Sequence, residues 1–201
     1  MQIASHRFIW HCPMPLIEKE LYHPHIGERH CELGPGTGRT LRRLPKSTPL
    51  QELHLVDLNP ACLARSSSRL RHRFNVHPHE VGALGEWPIP SGSLDSVSAT
   101  DVMHCLPGDN VFDKKGMVDN AAKVLRPGGM FFGATFLQGH TGAARSLLNF
   151  YNNKRNTMHN RGDTFSDLER LFSDHPGFAN VQTKLVGTVG LWAATRVEGD
   201  A

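Results

Sequence analysis

The sequence predicts an α/β fold: a mostly parallel sheet of seven strands, helices on both faces, and an antiparallel strand pair at the C-terminal end. Three observations carry this. Short apolar runs alternate with helical stretches from residue 29 onward, as in successive β-α-β crossovers. A turn with three glycines, Gly34-Pro35-Gly36-Thr37-Gly38, joins the first run to the first helix. The last two runs, Ala179 to Val186 and Gly190 to Arg196, are joined by a turn short enough only for an antiparallel pair.

Taken in order, Arg29 to Leu33 reads as strand 1, and Arg39 to Leu44 opens the first helix. Leu53 to Leu58 is strand 2. Asn59 then stands as a cap, with Pro60 at a first helical position that needs no N–H, so a helix runs to about Arg71. Phe74 to Val81 is a weaker third strand. Pro88 and Pro90 abbreviate any helix between Gly82 and Gly92. Leu94 to Thr100 is strand 4. A helix from about Asn110 to Leu125 stops at the breaker run Arg126-Pro127-Gly128-Gly129. Met130 to Leu137, apolar nearly throughout, is a central fifth strand. Ala143 to Tyr151 has a helical pattern. Ser166 to Phe172 is a helix capped by Ser166 or Thr164.

A chain of 201 residues fits one domain, here residues 1–201. Residues 1–27 form a short N-terminal cap, and 138–163 an insertion over the ligand edge of the sheet. Hydrophobic residues make up 39% and charged residues 20%, an ordinary globular balance. A net charge of +3 gives no argument for nucleic acid, and Arg65, Arg69, Arg71 and Arg73 read as the solvated face of a helix. The four cysteines, Cys12, Cys31, Cys62 and Cys105, form no C-x-x-C pair, and Cys31 and Cys62 read as small core residues. His23 with His25, and His77 with His79, lack the spacing of a zinc site, so no metal is expected. Neither a signal peptide nor an apolar run of membrane-spanning length is evident, so the expected location is cytoplasmic, with no membrane partner.

Ligands of such sheets bind beyond the carboxyl ends of the strands. Glycines in the first turn let a ligand approach the backbone, and the helix start offers free amides to a carboxylate. A P-loop fails because no Lys follows the glycines. A dinucleotide turn is disfavoured because Gly38 comes one position early, with Arg39 in the expected place. Asp57 ends strand 2, 25 residues after Glu32, where a carboxylate accepts both ribose hydroxyls of an adenosine.

The stretch Glu32-Leu33-Gly34-Pro35-Gly36-Thr37-Gly38 resembles motif I of the class I methyltransferases that use S-adenosylmethionine (SAM), acidic-x-Gly-x-Gly-x-Gly. Trp87 to Val97 is similar to that family's segment leading into strand 4, and Leu125-Arg126-Pro127-Gly128-Gly129 to its turn before strand 5. Gly177-Phe178 before a strand is similar to its tail, so the resemblance spans about residues 28 to 198. It implies a Rossmann-like fold and SAM as cofactor. It assigns to that cofactor Glu32, Gly34, Pro35, Gly36 and Gly38 in the first turn, Asp57 and Leu58 after strand 2, Ala83 and Leu84 after strand 3, and Thr100 and Asp101 after strand 4. Ala83 departs from the family, which often has an acidic residue there to hold the adenine amino group. Asp101 is open between contacting the SAM amino group and capping a turn.

Methyl transfer from a sulfonium needs alignment and a dry site rather than a metal. A hydroxyl or amine acceptor also benefits from a base, and His104, after strand 4, is the candidate. No Asn-Pro-Pro-Tyr or Asp-Pro-Pro-Tyr follows strand 4, which argues against nucleic-acid amines and for a small-molecule acceptor, most often an oxygen. His6, Trp10 and His11 in the N-terminal arm, and His140, Tyr151 and His159 in the insertion, are candidates to line its pocket. Two rivals stand beside this reading. One is a protein of the same fold that keeps SAM without transferring methyl, as a cyclase-like catalyst or partner subunit. The other is an NAD-dependent oxidoreductase. The short stretch before strand 1 and Ala83 favour the first rival. Oligomeric state is left open, a homodimer being admitted.

Overall fold

The computed structural model describes residues 6–138 and 142–198. Its strands are β1 (Arg29–Leu33), β2 (Glu52–Asp57), β3 (Asn75–Glu80), β4 (Leu94–Thr100), β5 (Leu125–Phe136), β6 (Phe178–Val186) and β7 (Val189–Arg196). They form one sheet in the order β3-β2-β1-β4-β5-β7-β6. The pairs from β3 to β5 are parallel, and β7 runs antiparallel to both of its neighbours. The architecture is the expected Rossmann-like one. Strand order reverses between β1 and β4, so a crevice opens beyond their carboxyl ends.

The helices are α1 (Met14–Ile17), α2 (Arg39–Arg42), α3 (Pro60–Leu70), α4 (Lys115–Val124), α5 (Gly142–Phe150) and α6 (Phe165–Ser173). π-Helical turns extend α1 through Glu18–Tyr22, which a last α-turn His23–His25 continues, and α5 through Tyr151–Arg155. Strand alternation divides the core in two. On one face Phe132, Leu53 and Leu55 pack with Ile17, Tyr22, Leu41, Leu63, Leu70 and Leu148. On the other, Phe131, Val97 and Trp192 pack with Met117 and Val118 of α4 and Leu168 and Phe172 of α6. Trp192 stacks on Phe172 at 5.2 Å.

Local capping fixes several boundaries. Asn59 Oδ1 accepts the Ala61 amide at 2.9 Å, starting α3 at Pro60. Thr164, rather than Ser166, caps α6 by accepting the Asp167 amide at 3.1 Å. Two expectations are corrected. The run Arg126 to Gly129 does not separate helix from strand but belongs to β5, where the register against β4 slips between Leu94 and Ser96. Asp95 fills the irregularity: its carboxylate takes Arg126 Nε at 2.6 Å and the Arg29 amide at 2.7 Å. The first helix is also shorter than read, a single turn from Arg39 to Arg42.

Candidate active site

A cleft opens where β1 and β4 end. It is lined by Glu32, the turn Gly34 to Gly38, Thr100 and Asp101, with Met14, Glu18 and Tyr22 of the N-terminal helical segment opposite. Glycine is required at the turn. Gly34 has φ +57°, and a Cβ there would stand 2.6 Å from Val102 Cγ2. Gly36 has φ +53°, but a Cβ there would meet nothing within 4 Å, because it faces the open cleft. The Gly34 and Gly38 amides are bound to Val56 O and Pro35 O, each within 3 Å. Among the described residues no acceptor takes the Gly36 and Thr37 amides. With only one turn in α2, the helix dipole adds little, and the loop amides themselves are the anion-receiving groups.

Beneath the turn runs a buried polar chain. His30 and Glu32 on β1 share a sheet face with Ser96, Ser98 and Thr100 on the adjacent β4. His30 Nδ1 lies 2.7 Å from Ser96 Oγ, and its Nε2 lies 3.0 Å from Ser98 Oγ. Ser98 donates to Glu32 Oε2 at 2.6 Å, and Tyr22 donates to Glu32 Oε1 at 2.8 Å. The Tyr22 hydroxyl is also 3.1 Å from Thr100 Oγ1. Burial, reinforced by the Glu32 charge, pushes the Tyr22 phenol well above its ordinary range, so it stays a donor. Glu32 is therefore a buried anchor between β1, β4 and the N-terminal helix, presented at the cleft floor.

The far wall is built around Asp101, which sits at φ +60° with its amide bound to Ala134 O at 2.9 Å. His6 Nε2 lies 2.8 Å from Asp101 Oδ2, and His6 Nδ1 lies 3.1 Å from Cys12 O. Trp10 stacks on Phe136 at 4.5 Å, so it is core rather than pocket wall, and His11 is exposed. His104, on the turn Met103–Cys105, is buried behind Phe136, whose ring is 4.4 Å away. The Phe136 amide donates to His104 Nδ1 at 3.3 Å, which leaves the proton on Nε2. Burial drives the His104 imidazole down to about 4.

A family profile described as a methyltransferase domain matches residues 31–131. The chain is 35% identical over 188 residues to demethylluteothin O-methyltransferase of Streptomyces thioluteus, covering 92% of this chain and 79% of that protein. The chain belongs to the class I SAM-dependent methyltransferases. It is also 33% identical over 200 residues to the YbcY protein of Escherichia coli strain K12, covering 96% of this chain and 97% of that one. Among solved structures, phosphoethanolamine N-methyltransferase 2 of Haemonchus contortus, in complex with phosphomonomethylethanolamine and S-adenosylhomocysteine, superimposes with a TM-score of 0.71 at 16% identity. This methyltransferase covers 53% of that longer chain, with 92% of its own length aligned, and the likeness is one of fold. SAM is the family's methyl donor.

The remaining predicted residues of this methyltransferase, and His104, are not among those lining that cleft. Asp57 ends β2, and its Oδ1 accepts the Asn59 amide at 2.9 Å. Leu58, just beyond, is 72% exposed, an unusual setting for a leucine, and Leu84 is also exposed. Ala83 O is engaged from below by Trp87 Nε1 and Asn120 Nδ2, both at 3.2 Å. In the insertion, His159 donates its amide to His104 O at 2.7 Å, and Tyr151 is half-buried. His140 lies outside the described residues.

Some contributors were not foreseen. Arg69 donates to Thr37 O at 2.8 Å, tying α3 to the glycine turn. Arg73 donates to Arg42 O at 2.9 Å and Leu44 O at 3.1 Å, closing the end of α2. These two arginines are therefore clamps rather than a merely solvated face. Arg69 stands in the last turn of α3 and Arg73 three residues beyond its end, so no helical spacing announced the second clamp. Cys62 is only half-buried, so the core reading holds for Cys31 alone of that pair. Among the described residues no group of three His, Cys, Asp or Glu is placed to hold a metal, and no helix is long and apolar enough to cross a membrane.

Proposed function

We propose that this methyltransferase holds SAM in the crevice between β1 and β4 and transfers its methyl group to a hydroxyl oxygen of a small-molecule acceptor. The observation that carries the reading is the open space over Gly36, in a cleft lined by Gly36, Thr37 and Asp101, where no described residue accepts the Gly36 and Thr37 amides. The residues fit the cofactor. The Gly36 and Thr37 amides suit its carboxylate, and Gly34, Pro35 and Gly38 shape the turn that presents them. Glu32 and Thr100 border the same space. Asp57 suits the ribose hydroxyls, and Leu58, Ala83 and Leu84 offer apolar flanks for adenine in place of an acidic contact. When bound, SAM supplies a methyl carbon made electrophilic by its sulfonium.

An acceptor hydroxyl must lose a proton as its oxygen attacks. Asp101 lines the cleft, and His6 orients its carboxylate, so Asp101 is assigned as the proton acceptor. That assignment differs from the sequence expectation for His104. With Nδ1 occupied and the proton on Nε2, His104 has no free nitrogen with which to accept, and it is not among the residues lining the cleft. Support for oxygen as the methylated atom comes from the Streptomyces thioluteus relative, which is an O-methyltransferase.

The test is to incubate the purified protein with methyl-deuterated SAM and a set of phenolic and enolic acceptors that includes demethylluteothin. Expected is a product carrying the labelled methyl on oxygen, with S-adenosylhomocysteine formed in equal amount. Labelled product on nitrogen or carbon only, or SAM binding without any S-adenosylhomocysteine, would overturn the reading.

A further inference from the structure

A hydroxyl has one proton to donate, and that fixes the direction of each bond in the buried chain beneath the glycine turn. Ser98 Oγ spends its proton on Glu32 Oε2 at 2.6 Å. Towards His30 Nε2, 3.0 Å away, it can then only accept, so His30 carries its proton on Nε2. Ser96 Oγ lies 2.7 Å from His30 Nδ1 and accepts the Gly27 amide at 2.9 Å. Among the described residues the Ser96 proton meets no other acceptor, so it goes to His30 Nδ1. Tyr22 spends its phenol proton on Glu32 Oε1 at 2.8 Å. At the 3.1 Å contact between the two hydroxyls Thr100 is therefore the donor, and its oxygen keeps a free lone pair.

The donors thus point one way, from Gly27 through Ser96, His30 and Ser98 to Glu32. The register makes this possible. His30 pairs with Ser96 and Glu32 with Ser98, so the chain climbs one face of β1 and β4 towards their carboxyl ends. Phe132 shields it, with its ring 5.8 Å from His30 and 5.3 Å from Tyr22. Hydrogen bonds aligned in such a dry chain polarise one another.

The chain ends on a charge without a counterion. Both Glu32 oxygens accept, so neither holds a proton. Glu32 is 5% exposed, and among the described residues no lysine or arginine pairs with it. His30, 3.4 Å away, brings no charge in this tautomer. A buried carboxylate calls for a cation or for further N–H donors. Glu32 and Thr100 both line the cofactor cleft, and Glu32 Oε1 has accepted only one bond of the two it can take. The amino-acid end of SAM brings the matching group, an ammonium with three donors.

We propose that Tyr22, Ser98 and His30 are positioning residues for the cofactor: they aim the ionised Glu32 at its ammonium, with Thr100 Oγ1 as a second acceptor. The proposal rests on the SAM-binding reading above. It carries recognition of the amino-acid end from the glycine turn into the sheet and the N-terminal segment.

The experiment is calorimetry on the full chain with S-adenosylhomocysteine and its deamino analogue, which keeps the carboxylate, the thioether and the adenosine but lacks the ammonium. The wild type is expected to bind S-adenosylhomocysteine about tenfold or more tighter, the scale of a hydrogen bond to a charged group. Tyr22→Phe and Ser98→Ala each delete one hydroxyl. Each should cut that preference by about threefold or more, the scale of one ordinary hydrogen bond, and leave the affinity for the deamino analogue unchanged. A merely structural role would weaken both ligands alike. Thr100→Val, at a half-buried position, gives the same readout even where a fully buried variant fails to fold. Nitrogen NMR should show His30 protonated on Nε2, and a proton on Nδ1 alone would overturn the relay. Equal binding of the two ligands by the wild type, parallel weakening of both in the variants, or a preference that survives in every variant that folds would overturn the proposal and leave the SAM reading standing. A wild type that binds neither ligand would overturn that reading, and this proposal with it.

Discussion

His6 Nε2 stands 2.8 Å from Asp101 Oδ2, so a residue of the N-terminal arm fixes a carboxylate that lines the cleft 95 positions later. The other ring nitrogen faces Cys12 O, which can only accept. With acceptors on both sides, both nitrogens must donate, and His6 is held as an imidazolium. Burial alone would lower its pKa, but the Asp101 hydrogen bond and charge and the Cys12 carbonyl outweigh that and raise it. A histidine raised on folding stabilises fully below its unfolded value, and that stability is lost as pH rises through the raised one. Replacing His6 by Ala is therefore expected to cost about 3 kcal/mol at pH 6, as for breaking a buried pair. The cost should be smaller at pH 9. Urea unfolding of both proteins at the two pH values measures this. An equal loss at both would mean that the pair is not ionic.

The glycine turn separates folding from binding within three residues. Gly34→Ala forces a Cβ to 2.6 Å from Val102 Cγ2 at a positive φ, so it should destabilise the fold itself. Gly36→Ala meets no atom within 4 Å. It should cost only the left-handed backbone penalty, about 1–2 kcal/mol, while weakening SAM by filling the space over the free amides. Thermal unfolding and SAM calorimetry on the two variants give the contrast, a large loss of Tm for Gly34→Ala and a large loss of affinity for Gly36→Ala. The reverse pattern would remove the turn from the cofactor site. Asp57→Ala should lower SAM affinity by about 1.5–3 kcal/mol without changing Tm, since its carboxylate makes one local bond to the Asn59 amide. Unchanged affinity would exclude Asp57 as the ribose ligand.

What the sequence made legible is what local chemistry decides. The Asn59-Pro60 start of α3, Thr164 as one of two caps, the positive-φ turn and the run of β4 all follow from residues close together in the chain. The N-terminal helical segment was not foreseen, since residues 1–27 were read only as a short cap. It forms because Pro15 occupies a first-turn position and Ile17, Leu21 and Tyr22 bury against the sheet. Arg126 to Gly129 misled for the opposite reason, since the side chain of Asp95 on the neighbouring strand holds the run in β5. His6 with Asp101, and Asn152 with Phe136 through Asn160, are pairings that only the folded topology creates. Sequence spacing carries no trace of them.

Lys114 and Asp163 are both fully buried and joined at 2.6 Å, and Lys114 Nζ also donates to His159 O at 2.7 Å. They latch the end of the insertion to the start of α4. Burial raises Asp163 to about 6 even though Lys114 works against the shift. Lys114→Met leaves that carboxylate buried without its cation and should cost about 3–5 kcal/mol. An acid raised on folding loses stability as pH rises through its folded value, so the variant should be weaker at pH 8 than at pH 5. Adding Asp163→Leu should recover most of the loss, because an apolar pair can replace a buried ionic one. No recovery in denaturant melts would show that the latch acts through His159 O rather than through the ion pair.

His104 closes the set with a prediction about the proton itself. Its Nδ1 accepts the Phe136 amide, so nitrogen NMR should show the tautomer protonated on Nε2 and no protonation until the pH approaches 4. A histidine depressed on folding contributes stability that is complete above pH 6.5 and is lost as pH falls toward the folded value, about 3 kcal/mol across that window. Asp163 changes in the opposite sense below about pH 6, over most of the same range, so the wild-type curve alone does not isolate the effect. His104→Gln keeps an acceptor near the Phe136 amide but cannot titrate. The stability difference between wild type and His104→Gln should therefore shrink steadily from pH 6.5 to pH 4 by about that amount. A His104 signal that titrates near 6.5, together with a constant difference between the two proteins, would return His104 to the position of proton acceptor and take that role from Asp101.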